Sequence, residues 1–238
     1  MRIIYFNIWH GHELEGLLSF ISSEKEGTDA FCFLETDPVL LIKLEDSLSL
    51  FNPVSRAGEI NQDGIMESST VFVNKKYQIL NSKAIELYET SEKDTGGFLA
   101  LEVALGNKNI NIGCAHGKSR PGDKQDSPER LKQSQIIVDY YQGIVGPKII
   151  GGDFNLDVTT ESLKIIERAG YKNLIKDFNI QNTRNKLCWN QFPEEVAKHG
   201  KQYFADYCFV SEGVNVKDFK VPNLEISDHE PLILDFEV

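Results

Sequence analysis

Sulfur is scarce in this chain, and it does not form a framework. Two methionines and four cysteines occur in 238 residues. The cysteines (Cys32, Cys114, Cys188 and Cys208) have none of the paired spacing that zinc sites and small disulfide scaffolds require. Three of them fall inside apolar runs that read as strands, as buried free thiols do. That usage fits a reducing compartment and predicts a cytoplasmic protein. Positive charge is also in deficit, with 25 Lys and Arg against 36 Asp and Glu and a net charge of −11. A broad basic surface driving non-specific nucleic-acid binding is thereby excluded, although a few local cations and a metal can still hold a phosphate. No window is apolar for the length that a bilayer demands, and the N-terminus lacks a basic segment followed by an apolar stretch of signal length. Repeats, low-complexity tracts and linkers are missing too. At 41% hydrophobic the chain can bury a full core, so residues 1–238 are expected to form one domain and act as a monomer.

What is present is a βαβ beginning followed by mostly β structure. After the apolar run Ile3-Ile4-Tyr5-Phe6, residues Leu14, Leu17, Leu18 and Ile21 recur at i, i+3, i+4, i+7 and predict an amphipathic helix. A second apolar run spans 29–35, a helix is expected over 38–48, and 52–64 reads as a Pro-, Ser-, Gly- and Asn-rich loop. Strands are expected at 69–74, 98–105 and 109–115, the last two joined by a Gly106-Asn107 turn. A polar, partly basic loop (117–127) leads into a helix over 128–141, with Glu129 in its first turn. Thr159 or Thr160 is placed to cap another helix that Gly170 closes, and 232–236 is the final strand. The alternation implies two mixed sheets packed face to face with helices outside.

The chemistry-bearing residues gather at strand ends, where ligands bind in open α/β sheets. Gly151-Gly152-Asp153-Phe154-Asn155 follows the buried strand Pro147-Lys148-Ile149-Ile150. Paired glycines let backbone approach a substrate, and the i, i+2 spacing puts Asp153 and Asn155 on one face. Asp offers hard oxygens while Asn both accepts and donates, which suits a divalent metal or a phosphate; the bland alternative is an Asx turn. Asn7 interrupts the first apolar strand, Glu35 ends the second, His116 ends the run from Asn111, and Asp206 opens another run. Ser227-Asp228-His229 precedes the last strand. Glu35 is the best candidate for a Mg²⁺ ligand, because that ion takes few protein ligands and prefers carboxylate oxygens. His229 is the candidate general base, since imidazole titrates near neutrality, and Asp206 is placed to hold its tautomer.

In number and order, Asn7, Glu35, His116, Asp153-x-Asn155, Asp206 and Asp228-His229 resemble the endonuclease/exonuclease/phosphatase superfamily. That group includes pancreatic deoxyribonuclease, abasic-site endonucleases, inositol-polyphosphate 5-phosphatases and bacterial sphingomyelinases. The resemblance runs from Asn7 to His229. It departs at Leu34, where many members carry Gln, and at Phe204-Ala205-Asp206-Tyr207, where Arg-Ile-Asp-Tyr is familiar. It implies a four-layer α/β sandwich and a Mg²⁺-dependent phosphoesterase, with Mn²⁺ as a substitute. Asn7 and Asp228 would support the metal at Glu35, and Asp206 and His229 would form the dyad. Asp153 and Asn155 would orient the nucleophile and stabilise the transition state. His116 would donate to a phosphoryl oxygen or the leaving group, with Glu67 as its partner. Arg184 and Trp189 fall where relatives contact substrate, though Trp189 is as readily a core residue. Lys118, Arg120 and Lys124 either meet substrate phosphates or form a solvated loop. A nuclease acting on nucleic acid is the first expectation. The alternatives are a phosphomonoesterase, an inositol-phosphate or phospholipid hydrolase, and a non-catalytic binding member.

Overall fold

Strand β1 (Arg2–Asn7) is apolar on both faces because both faces are covered: Ile3 and Tyr5 pack into one core, Ile4 and Phe6 into another. The same division runs through β2 (Ala30–Thr36), with Cys32 and Leu34 on one side and Phe31 and Phe33 on the other. The computed structural model describes residues 1–56, 58–60, 64–88 and 96–238. Between these strands runs α1 (Leu14–Glu24), and then follow α2 (Pro38–Ser47), β3 (Phe51–Ser55), β4 (Glu59–Ile60) and β5 (Met66–Asn74). The middle of the chain is β6 (Ile79–Ile85), β7 (Gly97–Leu105), β8 (Lys108–His116), α3 (Pro128–Tyr141) and β9 (Lys148–Asp153). The remainder is α4 (Glu161–Arg168), β10 (Lys172–Asn173), α5 (Leu174–Asp177), α6 (Lys186–Gln191), α7 (Pro193–His199), β11 (Asp206–Val210), β12 (Asn215–Lys220) and β13 (Leu232–Glu237).

One sheet has the order β12-β13-β1-β2-β5-β3, with β4 also on β5, and the other has β10-β11-β9-β8-β7-β6. Each mixes one parallel pair, β1 with β2 or β8 with β9, among antiparallel neighbours. Helices α1 and α2 cover the first sheet through Leu17, Ile21, Leu40 and Leu44. Helices α3 and α4 bring Ile137, Tyr141, Leu163 and Ile166 into the core of the second. The result is the four-layer sandwich that the sequence implies. All four cysteines are buried free thiols. Among the described residues no helix is long and apolar enough to cross a membrane.

Two expectations are corrected here. Residues 52–64 are not simply a loop, since β3 and β4 lie in or beside that stretch. Pro53 sits in β3 because β3 is the end of its sheet and pairs with β5 alone, where a missing N–H costs little. Thr160 does occupy the N-cap position of α4, but its side chain does not cap; the Asp126 carboxylate instead accepts from the N–H groups of Glu161 and Ser162 at 2.7 and 2.9 Å. A charged acceptor from outside the helix outcompetes the local hydroxyl.

Gly151 and Gly152 have a structural purpose different from substrate access. A Cβ at Gly151 would lie 2.6 Å from the ring of Tyr5, which crosses from the facing sheet, and one at Gly152, with φ +128°, would strike the Ala115 carbonyl. The two sheets therefore approach closely two residues before the strand ends that carry Asp153 and Asn7. Gly151→Ala is expected to destabilise the fold by about 1–3 kcal/mol through overpacking. Chemical denaturation checks this, and an unchanged midpoint would show that Tyr5 yields freely.

Candidate active site

Strand register assembles the site before any side chain is considered. His116 pairs with Asp153 in the parallel β8 and β9 ladder, and Asp153 pairs with Asp206 across the antiparallel β9 and β11 ladder. Three functional residues thus stand side by side on the rim of one sheet. The other sheet supplies Asn7 at the end of β1 and Glu35 one residue beyond its register partner Leu34. A register shift between Phe33 and Thr36, with Glu35 at φ 59°, re-aims this carboxylate toward the rim. Residues 227–229 are tied to β1 by Ser227, whose Oγ donates to the Asn7 carbonyl at 2.8 Å and accepts from the His229 N–H at 3.3 Å.

The side chains converge. Asn7 Nδ2 donates to Glu35 Oε1 at 2.8 Å and to Asp153 Oδ2 at 3.1 Å, while its Oδ1 accepts from the Trp9 N–H. His229 Nδ1 bonds Asp206 Oδ2 at 2.8 Å, and His229 Nε2 lies 3.7 Å from Asp153 and 3.8 Å from Asp228. Thr183 Oγ1 accepts from the N–H groups of Ala205 and Asp206, at 3.1 Å each, which fixes the start of β11 and with it the Asp206 backbone. Asp153 Oδ1 accepts from the Asn155 N–H at 2.8 Å, so the Asx turn is real and is itself what sets the pair. Asn155 has φ 55°, which takes it off the strand geometry expected from the i, i+2 spacing.

Among the described residues, two groups of three could hold a cation. Glu35, His116 and Asp153 form one, and Asp153, Asp206 and His229 the other, with ligand atoms within 4.8 Å of one another in each. The first offers two hard carboxylates to Mg²⁺ or Mn²⁺, a donor set suited to those ions. Asp228 belongs to neither group and instead faces Arg184 at 3.8 Å.

A cavity of about 290 Å³ opens over these groups. Its lining includes His116, Asn155, Arg184, Trp189 and Arg120 as expected, but Lys118 is absent from it and sits over the Tyr88 ring at 5.2 Å. Arg120 meets Glu195 of α7 at 3.4 Å. Trp189 packs edge-on against Tyr203, as a wall of the cavity. Glu67 lines the cavity and pairs with His10 at 3.1 Å; His10 also lies 3.6 Å from Glu35. His10 lines the cavity without having been singled out by the sequence, and Lys124, named there only as one of three loop cations, lines it too. His10 sits in a one-turn helix after β1 with φ 51°, and Lys124 in the 117–127 loop with φ 58°. Lys124 is 7% exposed and donates to Asn155 Oδ1. The loop is ordered by Arg130, which is fully buried and bonds the carbonyls of Lys118, Ser119, Pro121 and Gln125.

Burial sets the proton affinities. Burial and the Glu67 carboxylate push Glu35 up, whereas at Asp153 burial is outweighed by His229, Lys124 and His116, which hold it below the usual carboxylate range. Burial, and next Arg184, push Lys124 down to about 8. Burial pushes Asp206 up to about 6. Burial also opposes a charged His229, but Asp206, Asp228 and Asp153 prevail and raise it to about 9. A histidine raised from 6.5 to about 9 stabilises the fold fully below pH ~6.5, and that contribution fades as pH rises through about 9. Asp206, raised from 3.8 to about 6, has the same sign lower down, its contribution fading across that interval. Metal-free protein should therefore lose stability as pH rises from ~6.5 toward 8, above which Lys124, lowered to about 8, contributes with the opposite sign, with a His229 imidazole midpoint near 9 by NMR. In Asp206→Asn the midpoint should move toward 6.5; the same midpoint in both proteins would show that Asp206 does not hold the proton.

Comparison with known proteins follows this geometry. Residues 4–229 match the family model described as Endonuclease/Exonuclease/phosphatase family. A search of curated proteins finds no match. Among solved structures, a Bacteroides thetaiotaomicron mannosyl-6-phosphatase superposes with TM-score 0.75 at 15% identity, covering 100% of both chains. TDP2 from D. rerio with a single-strand DNA product gives 0.76 at 16%, covering 100% and 99%. The human Nocturnin catalytic domain with bound sulfate gives 0.74 at 19%, covering 100% and 93%. With the family model spanning both sheets and every rim residue from Asn7 to His229, this chain belongs to the endonuclease/exonuclease/phosphatase family.

Proposed function

We propose that the chain is a divalent-metal-dependent phosphoesterase that hydrolyses a small phosphorylated substrate by attack of water. The observation that carries this reading is that Asp153 is shared between the Glu35 and His116 cluster and the His229 and Asp206 pair. A cation site and a proton-transfer pair thus adjoin at a single carboxylate. Glu35 and Asp153 would hold Mg²⁺ or Mn²⁺, whose chemistry when bound is to polarise the phosphoryl group and take up its developing charge.

The protein's own groups do the rest. Asp206 holds the Nδ1 proton of His229, and Nε2 accepts a proton from water in the neutral imidazole, the form that grows in as pH approaches about 9 and that a bound cation would favour. Asn7 holds Glu35 and Asp153 in place. Asn155 is fixed by the Gly117 carbonyl and by Asp153, and presents an amide beside the reacting group. His116 and Arg184 supply donors to phosphoryl or leaving oxygens from the cavity wall. Relatives of this fold include a named mannosyl-6-phosphatase and a protein holding DNA product, so the scaffold suits small and polymeric substrates alike. Here a cavity walled by α6 and α7, in a chain of net charge −11, favours the compact substrate over a nucleic acid.

The test is a hydrolysis panel over sugar phosphates, inositol phosphates, p-nitrophenyl phosphates, DNA and RNA with Mg²⁺ or Mn²⁺. EDTA and Glu35→Ala should each cut turnover by orders of magnitude. Full activity in excess EDTA would sink the proposal. Asp206→Asn, His229→Ala and the double variant should lose similar amounts, because partners in one proton transfer are non-additive. Additive losses would separate their roles.

A further inference from the structure

We infer that the substrate is a phosphomonoester bound as its dianion between Lys124 and Arg184, an inference that rests on the phosphoesterase reading above. Both cations line the cavity and both are nearly enclosed, at 7% and 8% exposure. Neither is consumed by the fold. Arg184 Nε is buried without a hydrogen-bond partner among the described residues, and its terminal nitrogen stands 3.8 Å from Asp228, beyond hydrogen-bond length. Lys124 spends one N–H on Asn155 and has three to give. Asn155 does not need it, since the Gly117 carbonyl and Asp153 already hold that residue. Nor does the loop, which is built on Arg130.

Arg184 Nε and the two N–H groups that Lys124 has left are enclosed donors, which an entering phosphoryl oxygen can satisfy. The terminal phosphoryl of a monoester brings two charges and three unsubstituted oxygens, enough to satisfy a metal and both cations. A diester brings one charge, and one of those oxygens carries an alkyl or aryl group. Against this wall that group leaves a buried donor unpaired, a penalty of about one to two orders of magnitude in rate. Of the other two cations of this loop, Arg120 is engaged with Glu195 and Lys118 lies on Tyr88, so neither is held ready for a second phosphate of a long polyanion.

The experiment compares p-nitrophenyl phosphate with bis-p-nitrophenyl phosphate on the full-length, Mg²⁺-saturated protein, for wild type, Lys124→Gln, Arg184→Gln and Lys124→Arg. Wild type should prefer the monoester and be inhibited by inorganic phosphate but not by diethyl phosphate. In Lys124→Gln and Arg184→Gln that preference should shrink by about tenfold or more and phosphate inhibition should weaken in step. Lys124→Arg, which keeps the charge, should recover part of both. Melting temperatures identify a variant that fails to fold, and phosphate inhibition of wild type alone then still decides. Wild type that turns over the diester as well as the monoester, or variants that lose both substrates equally, would overturn the inference while leaving the phosphoesterase reading intact. Inactivity on both esters with Mg²⁺ and with Mn²⁺ would overturn the two together.

Discussion

The amide of Asn7 joins the two sheets at the point where the site begins. Its Nδ2 reaches Glu35 on its own sheet and Asp153 on the other, at 2.8 and 3.1 Å. This bridge is possible only because Tyr5, two residues earlier on β1, lies against Gly151, two residues before Asp153 on β9. The apolar contact sets the separation of the sheets and the amide uses it. A side chain at Gly151 would act on the site through this geometry although it touches none of its polar groups, since catalytic constellations tolerate little displacement.

The cost of the arrangement is concentrated at the same rim. Among the described residues, seven other than glycine have left-handed backbone, and five of them (Trp9, His10, Glu35, Lys124 and Asn155) line the cavity. Such conformations cost of order 1 kcal/mol each and persist where surrounding structure over-determines them. Here the over-determination is visible in the buried ladders of β1, β2 and β9: Glu35 lies within β2, and Trp9 and Asn155 follow the ends of β1 and β9 by two residues. Five carboxylates (Glu35, Glu67, Asp153, Asp206 and Asp228) converge there, relieved by His10, Lys124, Arg184 and His229. A cation completes that balance of charge more effectively than any rearrangement of side chains, which is the physical reason to expect one.

What the chain announces in advance is what periodicity and strand ends can carry. The sandwich, Glu35, Asp153, Asp206 and His229 were legible because each polar residue interrupts or ends an apolar run, and a polar residue at such a place needs a reason. The edge strands were less so. β6 exposes five of its seven residues and β3 carries a proline, so neither shows the alternation of a half-buried strand. His10 and Lys124 lie off any strand, and their side chains enter the cavity through left-handed backbone that local sequence does not advertise in a histidine or a lysine. Glu67 was legible as a rim residue, but its ion pair with His10 depends on that unannounced turn. Lys118, alike in composition to Lys124, sits over a tyrosine instead, and nothing in the charge pattern of the loop distinguishes the two.

That difference between neighbouring lysines is resolved by one buried guanidinium. Arg130 projects from α3 into the 117–127 loop and bonds four of its carbonyls and the Asp123 carboxylate, so the loop is wrapped around a core residue and not draped on the surface. Gln133, one turn further along α3, accepts from the Lys118 N–H and donates to the Phe154 carbonyl, which ties the loop to the strand end bearing Asp153 and Asn155. A planar group with five donors in a fixed fork can organise several carbonyls at once, whereas a lysine offers three donors from a single nitrogen. The wall of the cavity is therefore set from within the domain. Its outer residues, Arg120 and Glu195, pair with one another, whereas Lys124 is bonded to Asn155 just past β9. On the phosphomonoester reading, Arg120 and Lys124 would thus serve different ends of a substrate from one loop with different mechanical support.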